Sequence, residues 1–259
     1  MTAPDATPRE FSTISLEVAG GLATLTMNRP DRKNAMNYTM IRETREALTA
    51  VAADRDIAVL VLTGSGDWFC PGGDIRAVVS GEIAREKEEG VDLDGFQVPV
   101  ILHEMPQVTV AAINGPCAGA GLGWALGCDL RFATASAKFA TAFLERGIAG
   151  DMSLPWSLPR VVGGAEARQL SFLPSKIDAR RALEISLVTE VFDDETFVEQ
   201  VDDLVQRLVR FNPEGLRSLK RHYVAAERMS FADYAELESR IVSTSVDPAA
   251  FATFLRPER

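Results

Sequence analysis

Twice in this chain a short β-branched apolar run ends in small residues and then gives way to a helical pattern. Ala58-Val59-Leu60-Val61-Leu62 leads to Phe69-Cys70-Pro71-Gly72-Gly73-Asp74-Ile75. Val108 to Ile113 leads to Asn114-Gly115-Pro116-Cys117-Ala118-Gly119-Ala120-Gly121. A buried strand that turns on glycines into a helix start presents backbone N–H groups that no side chain blocks. One such turn is common. Two in one domain can aim two N–H groups at one oxygen, which is what an oxyanion hole requires. The two segments lie about 50 residues apart, so one supersecondary unit is expected to repeat. The second segment continues Leu122-Gly123-Trp124, with no acid or base.

Composition narrows the class. The 259 residues are 46% hydrophobic and 25% charged, the balance of a soluble globular protein. A net charge of −10 argues against nucleic acid as a partner, because phosphate backbones need a basic surface. A phosphorylated small ligand needs only a local cluster, and Arg29, Arg32 and Lys33 form one beside a turn. Cys70, Cys117 and Cys128 have neither metal-ligand spacing nor a disulfide pattern, so no metal is expected and a reducing, cytoplasmic location is. Met1 to Arg9 is polar and does not read as a signal peptide. Val108 to Cys128 holds no charged residue, yet its glycines and the Asn114-Gly115-Pro116 turn read as a buried strand, turn and helix, not a membrane span.

Along the chain, Ile14–Val18 and Leu22–Met27 alternate around Gly20-Gly21 and predict a β-hairpin. Asn37 is placed to cap an amphipathic helix running through Ala52. Leu130–Ala133 reads as a short strand. The charged stretch Ser80–Gly95 reads as a solvated helix or loop. Helical periodicity covers Gly164–Phe172, Asp178–Leu187, Glu195–Arg210, Pro213–Ala226 and Phe231–Thr244, with a short apolar helix at Pro248–Leu255. The expected organisation is a mixed core over residues 1–195 and a helical region over 196–259 that serves the same functional unit. A tail apolar on one face is expected to pack on another subunit.

These residues resemble the crotonase superfamily, the enoyl-CoA hydratase/isomerase family, over nearly the whole chain. The motifs are Asn28-Arg29-Pro30 with Asn34-Ala35-Met36-Asn37, the two glycine segments, Cys128-Asp129, Leu158 to Gly163 and Phe251 to Arg256. The resemblance implies an α/β fold, a crotonase-like spiral of ββα units with a C-terminal helical trimerisation region. It implies a homotrimer or a hexamer made of two trimers. It also implies an acyl-CoA thioester as substrate, coenzyme A being part of that substrate and not a separate cofactor. By position the oxyanion donors fall on Gly73 and Ala120. Arg32, Lys33, Ala35, Gly72, Asp74, Ile75 and Gly119 match the family's CoA-binding edge, with Asp74 shaping the turn.

One departure decides the expected chemistry. Hydratases of the family have two glutamates; the matching places here, aligned on Ala120 and Gly147, hold Gly123 and Phe143. Neither residue moves a proton, and adding water to a double bond requires groups that do. Asp151 matches an aspartate used by isomerases of the family, and one base suffices to move a double bond. Glu145 is a second candidate, facing the site only if its segment is extended. Trp124 and Phe143 are expected to line the acyl pocket. His103 reads as a helix C-terminal cap, His222 as a surface or interface residue, and the cysteines as packing. The reading is therefore a double-bond isomerase. A hydratase or hydrolase with non-standard residues, and a non-catalytic acyl-CoA-binding oligomer, are the alternatives.

Overall fold

The computed structural model describes residues 11–81 and 96–245. The expectations for residues 82–95 and for Pro248–Leu255 and Phe251–Arg256 lie outside the described residues. The chain opens with the hairpin β1 (Ile14–Ala19) and β2 (Leu22–Met27), paired antiparallel from Ile14 with Met27 to Ala19 with Leu22. Helix α1 (Tyr38–Ala53) follows, and the Asn37 side chain caps it by accepting the Met40 N–H at 3.0 Å. Next come β3 (Val59–Gly64), the short helix α2 (Ile75–Val79) and α3 (Val98–Glu104). The second strand–turn–helix unit is β4 (Val108–Ile113), β5 (Cys117–Ala118) and α4 (Ala120–Gly127). It is followed by β6 (Leu130–Thr134) and β7 (Lys138–Ala140).

The remaining elements are α5 (Leu154–Val162), α6 (Gly164–Phe172), β8 (Ile177–Asp178), α7 (Ala179–Glu184), β9 (Glu190–Phe192), α8 (Phe197–Val209), α9 (Pro213–Ala226) and α10 (Phe231–Ser245). The helix expected over Asp178–Leu187 is shorter. Its first residue pairs with β7, and Ser186, with φ +61°, turns the chain out of the helix. The two- and three-residue strands β5, β7, β8 and β9 are too short to show a periodicity in sequence.

The main sheet runs β1-β2-β3-β4-β6-β9 and is parallel from β2 onward; β5, β7 and β8 form a second, small sheet. Parallel strands covered on both faces read as unbroken apolar runs, and β3 shows why. Leu60 and Leu62 point into the larger core with Leu25, Ile113, Leu102 and Trp124, while Val59 and Val61 point the other way. That other face is covered by Phe197, Val201 and Val205 of α8, packed on Val110, Ala112 and Phe132. The first helix after residue 196 is thus a structural layer of the core.

Helix α9 is pinned differently. Lys220, 5% exposed, donates from Nζ to the carbonyls of Leu102 and Gln107, both at 2.9 Å, and pairs with Asp129 at 2.8 Å. Asp129 in turn accepts the Thr109 N–H at 2.7 Å and its hydroxyl at 3.0 Å. Burial holds the Lys220 ammonium below the usual lysine pKa, and the Asp129 charge opposes that shift. No described helix is long and apolar enough to cross a membrane.

Candidate active site

The two glycine turns meet. Cys70 N–H donates to the Pro116 carbonyl at 3.2 Å, and Ala118 N–H donates to the Cys70 carbonyl at 2.9 Å, so the turns run as a parallel bridge. Gly72, with φ +102°, lies so close to the second turn that a Cβ there would sit 3.2 Å from both Ala118 O and Ala120 N. Only glycine allows that approach.

The orientation of the Gly73 amide follows from its neighbours. Met36 N–H donates to Gly72 O, and Asp74 N–H donates to Met36 O, each at 2.8 Å. In such a parallel bridge the residue between the two bonded ones turns its own N–H to the opposite side. The Gly73 amide is therefore left without a backbone partner among the described residues. Ala120 is the first residue of α4, where no preceding turn supplies an acceptor, and its amide has no such partner either. Both residues line one cavity of about 590 Å³.

The same cavity is bordered by Arg32, Lys33, Ala35, Gly72, Asp74, Ile75 and Gly119, so the residues expected at a CoA-binding edge are brought to one rim. Arg29 is spent inside the protein. It pairs with Asp74 at 3.1 Å and donates to the Ala35 carbonyl, which clamps the two loops together. Asp74 also caps α2, accepting the Arg76 and Ala77 amides at 3.1 and 3.4 Å. Asn34 fixes the adjacent loop through the Ser65 and Trp68 carbonyls, at 2.9 and 2.6 Å. Lys33 and Asn34 take left-handed φ values of +55° and +59°, and the Lys33 ammonium lies 4.5 Å from the centre of the Trp68 ring. Arg32, Lys33 and Arg76 thus form a basic rim on a strongly acidic chain.

Phe143 and Asp151 also line the cavity, with Ile148 and Met152. Asp151 is half-buried. Burial pushes its carboxyl above the usual aspartate range, and the Met152 N–H, donating to Oδ1 at 2.8 Å, partly offsets this. Its other oxygen has no partner among the described residues. The helix here begins at Leu154, so the Asp151 side chain is not its cap.

Two expectations are corrected. Trp124 does not line the cavity; it is fully buried in the main core, and its indole N–H has no partner among the described residues. Helix α4 starts at the cavity and runs away from it, so four residues carry Trp124 about 6 Å inward. Glu145 is exposed and outside the cavity lining. Leu144–Arg146 is a single 3₁₀ turn, in which residues three apart share a face, so Phe143 and Arg146 line the cavity and Glu145 does not. His103 lies in the last turn of α3, at the helix C-terminus where it was expected; its Nε2 lies 2.9 Å from Glu227 at the end of α9, and its ring stands edge-on to Trp156. His222 Nδ1 lies 3.0 Å from the Tyr234 hydroxyl. The cysteines are buried, with Cys70 and Cys128 pushed up to about 12 by burial and Cys117 raised as well. The cavity residues Ile41, Phe96 and Met152 carry no sequence signal, since each reads as ordinary core or loop.

A core whose sheet winds in one direction brings two amides without backbone partners among the described residues, a basic rim and one half-buried carboxyl to a single cavity, the geometry of a class of proteins able to hold a carbonyl oxygen between two N–H groups. The comparisons narrow that class. The profile of the enoyl-CoA hydratase/isomerase family matches residues 17–252, and the chain belongs to that family, within the crotonase superfamily of acyl-CoA enzymes. It is 34% identical to the 1,2-epoxyphenylacetyl-CoA isomerase of Escherichia coli K12, over 89% of this chain and 90% of that protein. It is 32% identical to the 4-chlorobenzoyl coenzyme A dehalogenase-2 of an Arthrobacter species, over 89% of this chain and 85% of that one. A Streptomyces coelicolor A3(2) crystal structure, provisionally described as an enoyl-CoA hydratase, superposes with a TM-score of 0.86 at 31% identity, covering 97% of this chain and 94% of that one.

Proposed function

We propose that the protein is an enoyl-CoA isomerase that moves a double bond within an acyl thioester. In this reading the thioester carbonyl oxygen accepts the Gly73 and Ala120 N–H groups. Asp151 takes a proton from the α- or γ-carbon; the electron pair delocalises onto the carbonyl oxygen as a dienolate, and the same carboxyl returns the proton to the other carbon. The amides bind the oxygen more strongly as charge develops on it, which lowers the barrier. A carboxyl with a raised pKa suits both halves of that exchange.

One observation carries the reading. Asp151 is the cavity's unspent carboxyl: Asp74 is held by Arg29 and by α2, and Asp31 is an exposed partner of Arg32. The places of the two hydratase glutamates hold Gly123 and Phe143, so water addition lacks its machinery. The basic rim suits the phosphates of coenzyme A. Two relatives are named for thioesters of ring acids, phenylacetyl and benzoyl, and the apolar wall of Phe143, Ile148 and Met152 suits a flat acyl group.

The test is incubation with 2-enoyl-, 3-enoyl- and 3,5-dienoyl-CoA esters in deuterated water. Exchange at the α- and γ-carbons without hydration, lost in Asp151→Asn, is expected. Hydrated or hydrolysed product would favour the alternative enzymes. Binding without any exchange would leave a non-catalytic acyl-CoA binder.

We also infer a trimeric assembly, single or doubled. Phe172, Leu173, Phe211, Tyr223 and Phe231 stand 60–88% exposed on the helices after α5 and their connections, more apolar surface than a monomer keeps. Sedimentation equilibrium at micromolar concentration decides this, and a monomeric mass would end it.

A further inference from the structure

Gly123 matters for more than the acid it lacks. A Cβ at position 123 would lie 2.5 Å from the Met152 carbonyl oxygen, 2.8 Å from Met152 Cβ and 3.2 Å from its carbonyl carbon. Two of these neighbours are backbone atoms, so no flexible side-chain tip can move aside. The Met152 peptide rests directly on the bare helix backbone at Gly123.

The chain bends sharply to reach that seat. Met152 and Ser153 are consecutive non-glycine residues in left-handed conformations, with φ +44° and +59°. Each such residue costs on the order of 1–3 kcal/mol and persists only where surrounding packing imposes it. Gly150, with φ +143°, precedes them; a Cβ there would meet Pro155 Cγ at 2.6 Å. Met152 is 4% exposed and belongs to the main core. Between the glycine and the seated peptide stands Asp151, whose carboxyl is held at 2.8 Å by the N–H of the same Met152.

We propose that Gly123 is a positioning residue for Asp151: its missing side chain is the socket in which the Met152 peptide sits, and that seating holds the Asp151 carboxyl in the cavity. This rests on the reading of Asp151 as the acid/base. A glutamate at 123 and an inward Asp151 then exclude each other, because one volume cannot hold both a side chain and the Met152 peptide. Restoring the hydratase glutamate at 123 displaces the isomerase carboxyl and yields neither enzyme. The preferred substrates follow: acyl thioesters with an acidic α- or γ-C–H and no requirement for water beside Asp151.

The experiment compares the full-length wild type with Gly123→Ala in two measurements. The first is ¹³C NMR titration of labelled aspartate carboxyls, with Asp151→Asn assigning the resonance. The second is steady-state isomerisation of 3-hexenoyl-CoA to the 2-enoyl ester. In Gly123→Ala the Asp151 carboxyl is expected to titrate closer to an ordinary aspartate, because a displaced loop readmits water. Its kcat is expected to fall by about 10²-fold, as for a misplacement of about 1 Å, with KM held within a few-fold because the CoA edge is untouched. Should Gly123→Ala yield no folded protein, Met152→Gly replaces it. That change frees the left-handed peptide without touching α4, and the same lowered titration and kcat are expected. A wild-type titration and wild-type kcat in the variant overturn the proposal. Wild-type activity in Asp151→Asn would end the acid/base reading alone, and the NMR titration would still decide whether residue 123 controls residue 151.

Discussion

Asp129, whose side chain is 30% exposed, and the half-buried Asp151 do opposite things. Asp129 spends its carboxylate on Thr109 and Lys220 and ties the late helix α9 to β4. The Asp151 side chain has one hydrogen bond among the described residues, from its own neighbour, and the residue lines a cavity. A carboxylate surrounded by donors is a structural clamp. A carboxyl buried with too few donors is a poised acid or base, because its ionised form is poorly solvated. The fold supplies the donors by strand register at β4 and withholds them on the loop after Gly147.

The sharpest way to break this contrast is to neutralise each residue's charge system. Asp151→Asn is expected to lower isomerisation by about 10²–10⁴-fold, the usual contribution of a positioned acid/base, while leaving the protein folded; stopped-flow assay with 3-enoyl-CoA checks it. Blocking an amide comes next. Gly72→Ala places a Cβ against Ala120 N at a left-handed φ, and loss of one donor's alignment is expected to cost about 10²–10³-fold in kcat. Lys220→Met should do the converse. It is expected to cost about 3 kcal/mol of stability in urea denaturation, the lower end for breaking a buried pair since Asp129 keeps some solvent, with kcat of the folded fraction unchanged. A Lys220→Met enzyme that stays stable but loses activity would overturn the division of labour.

The pH dependence sharpens the comparison further. Folding raises the Asp151 pKa, so between the ordinary aspartate value and the raised one the native state binds more protons than the unfolded chain. Stability should therefore fall as pH rises through that window, and Asp151→Asn should abolish this fall and melt at a higher temperature at neutral pH. Over the same window kcat should rise, as the base loses its proton. The smallest effect concerns the thiols. With pKa values raised to about 12 at Cys70 and Cys128, and raised at Cys117 too, native protein at pH 8 should resist iodoacetamide and react at all three sites once unfolded.

Much of this was legible in the residues. The hairpin, the Asn37 cap, the buried strands and the two glycine turns follow from local pattern, because burial on both faces of a parallel strand and a positive φ at a turn are demands that single residues meet. Gly73 and Ala120 were singled out by the family resemblance; what the structure adds is that neither amide has a backbone partner among the described residues. Trp124 and Glu145 were misplaced because their surroundings are set by the axis of α4 and by one turn of 3₁₀ helix, and neither is written in a residue's type. Helix α8 read as the start of a tail, yet it covers one face of the sheet, since an amphipathic helix does not name the surface that it covers.

What the sequence by itself determined is the inventory: two turns able to free amides, a family-like order of motifs, and the absence of side-chain acids at 123 and 143. Only the tertiary structure decided what those absences do. It set the Met152 peptide on Gly123, brought Asp151 to the cavity with one carboxyl oxygen unpartnered among the described residues, and spent Arg29 on Asp74. The physical reason is that a turn's conformation is fixed by torsions a few residues long. A carboxyl's solvation and a peptide's seat are fixed by atoms from segments far apart in the chain, which meet only when the core has packed.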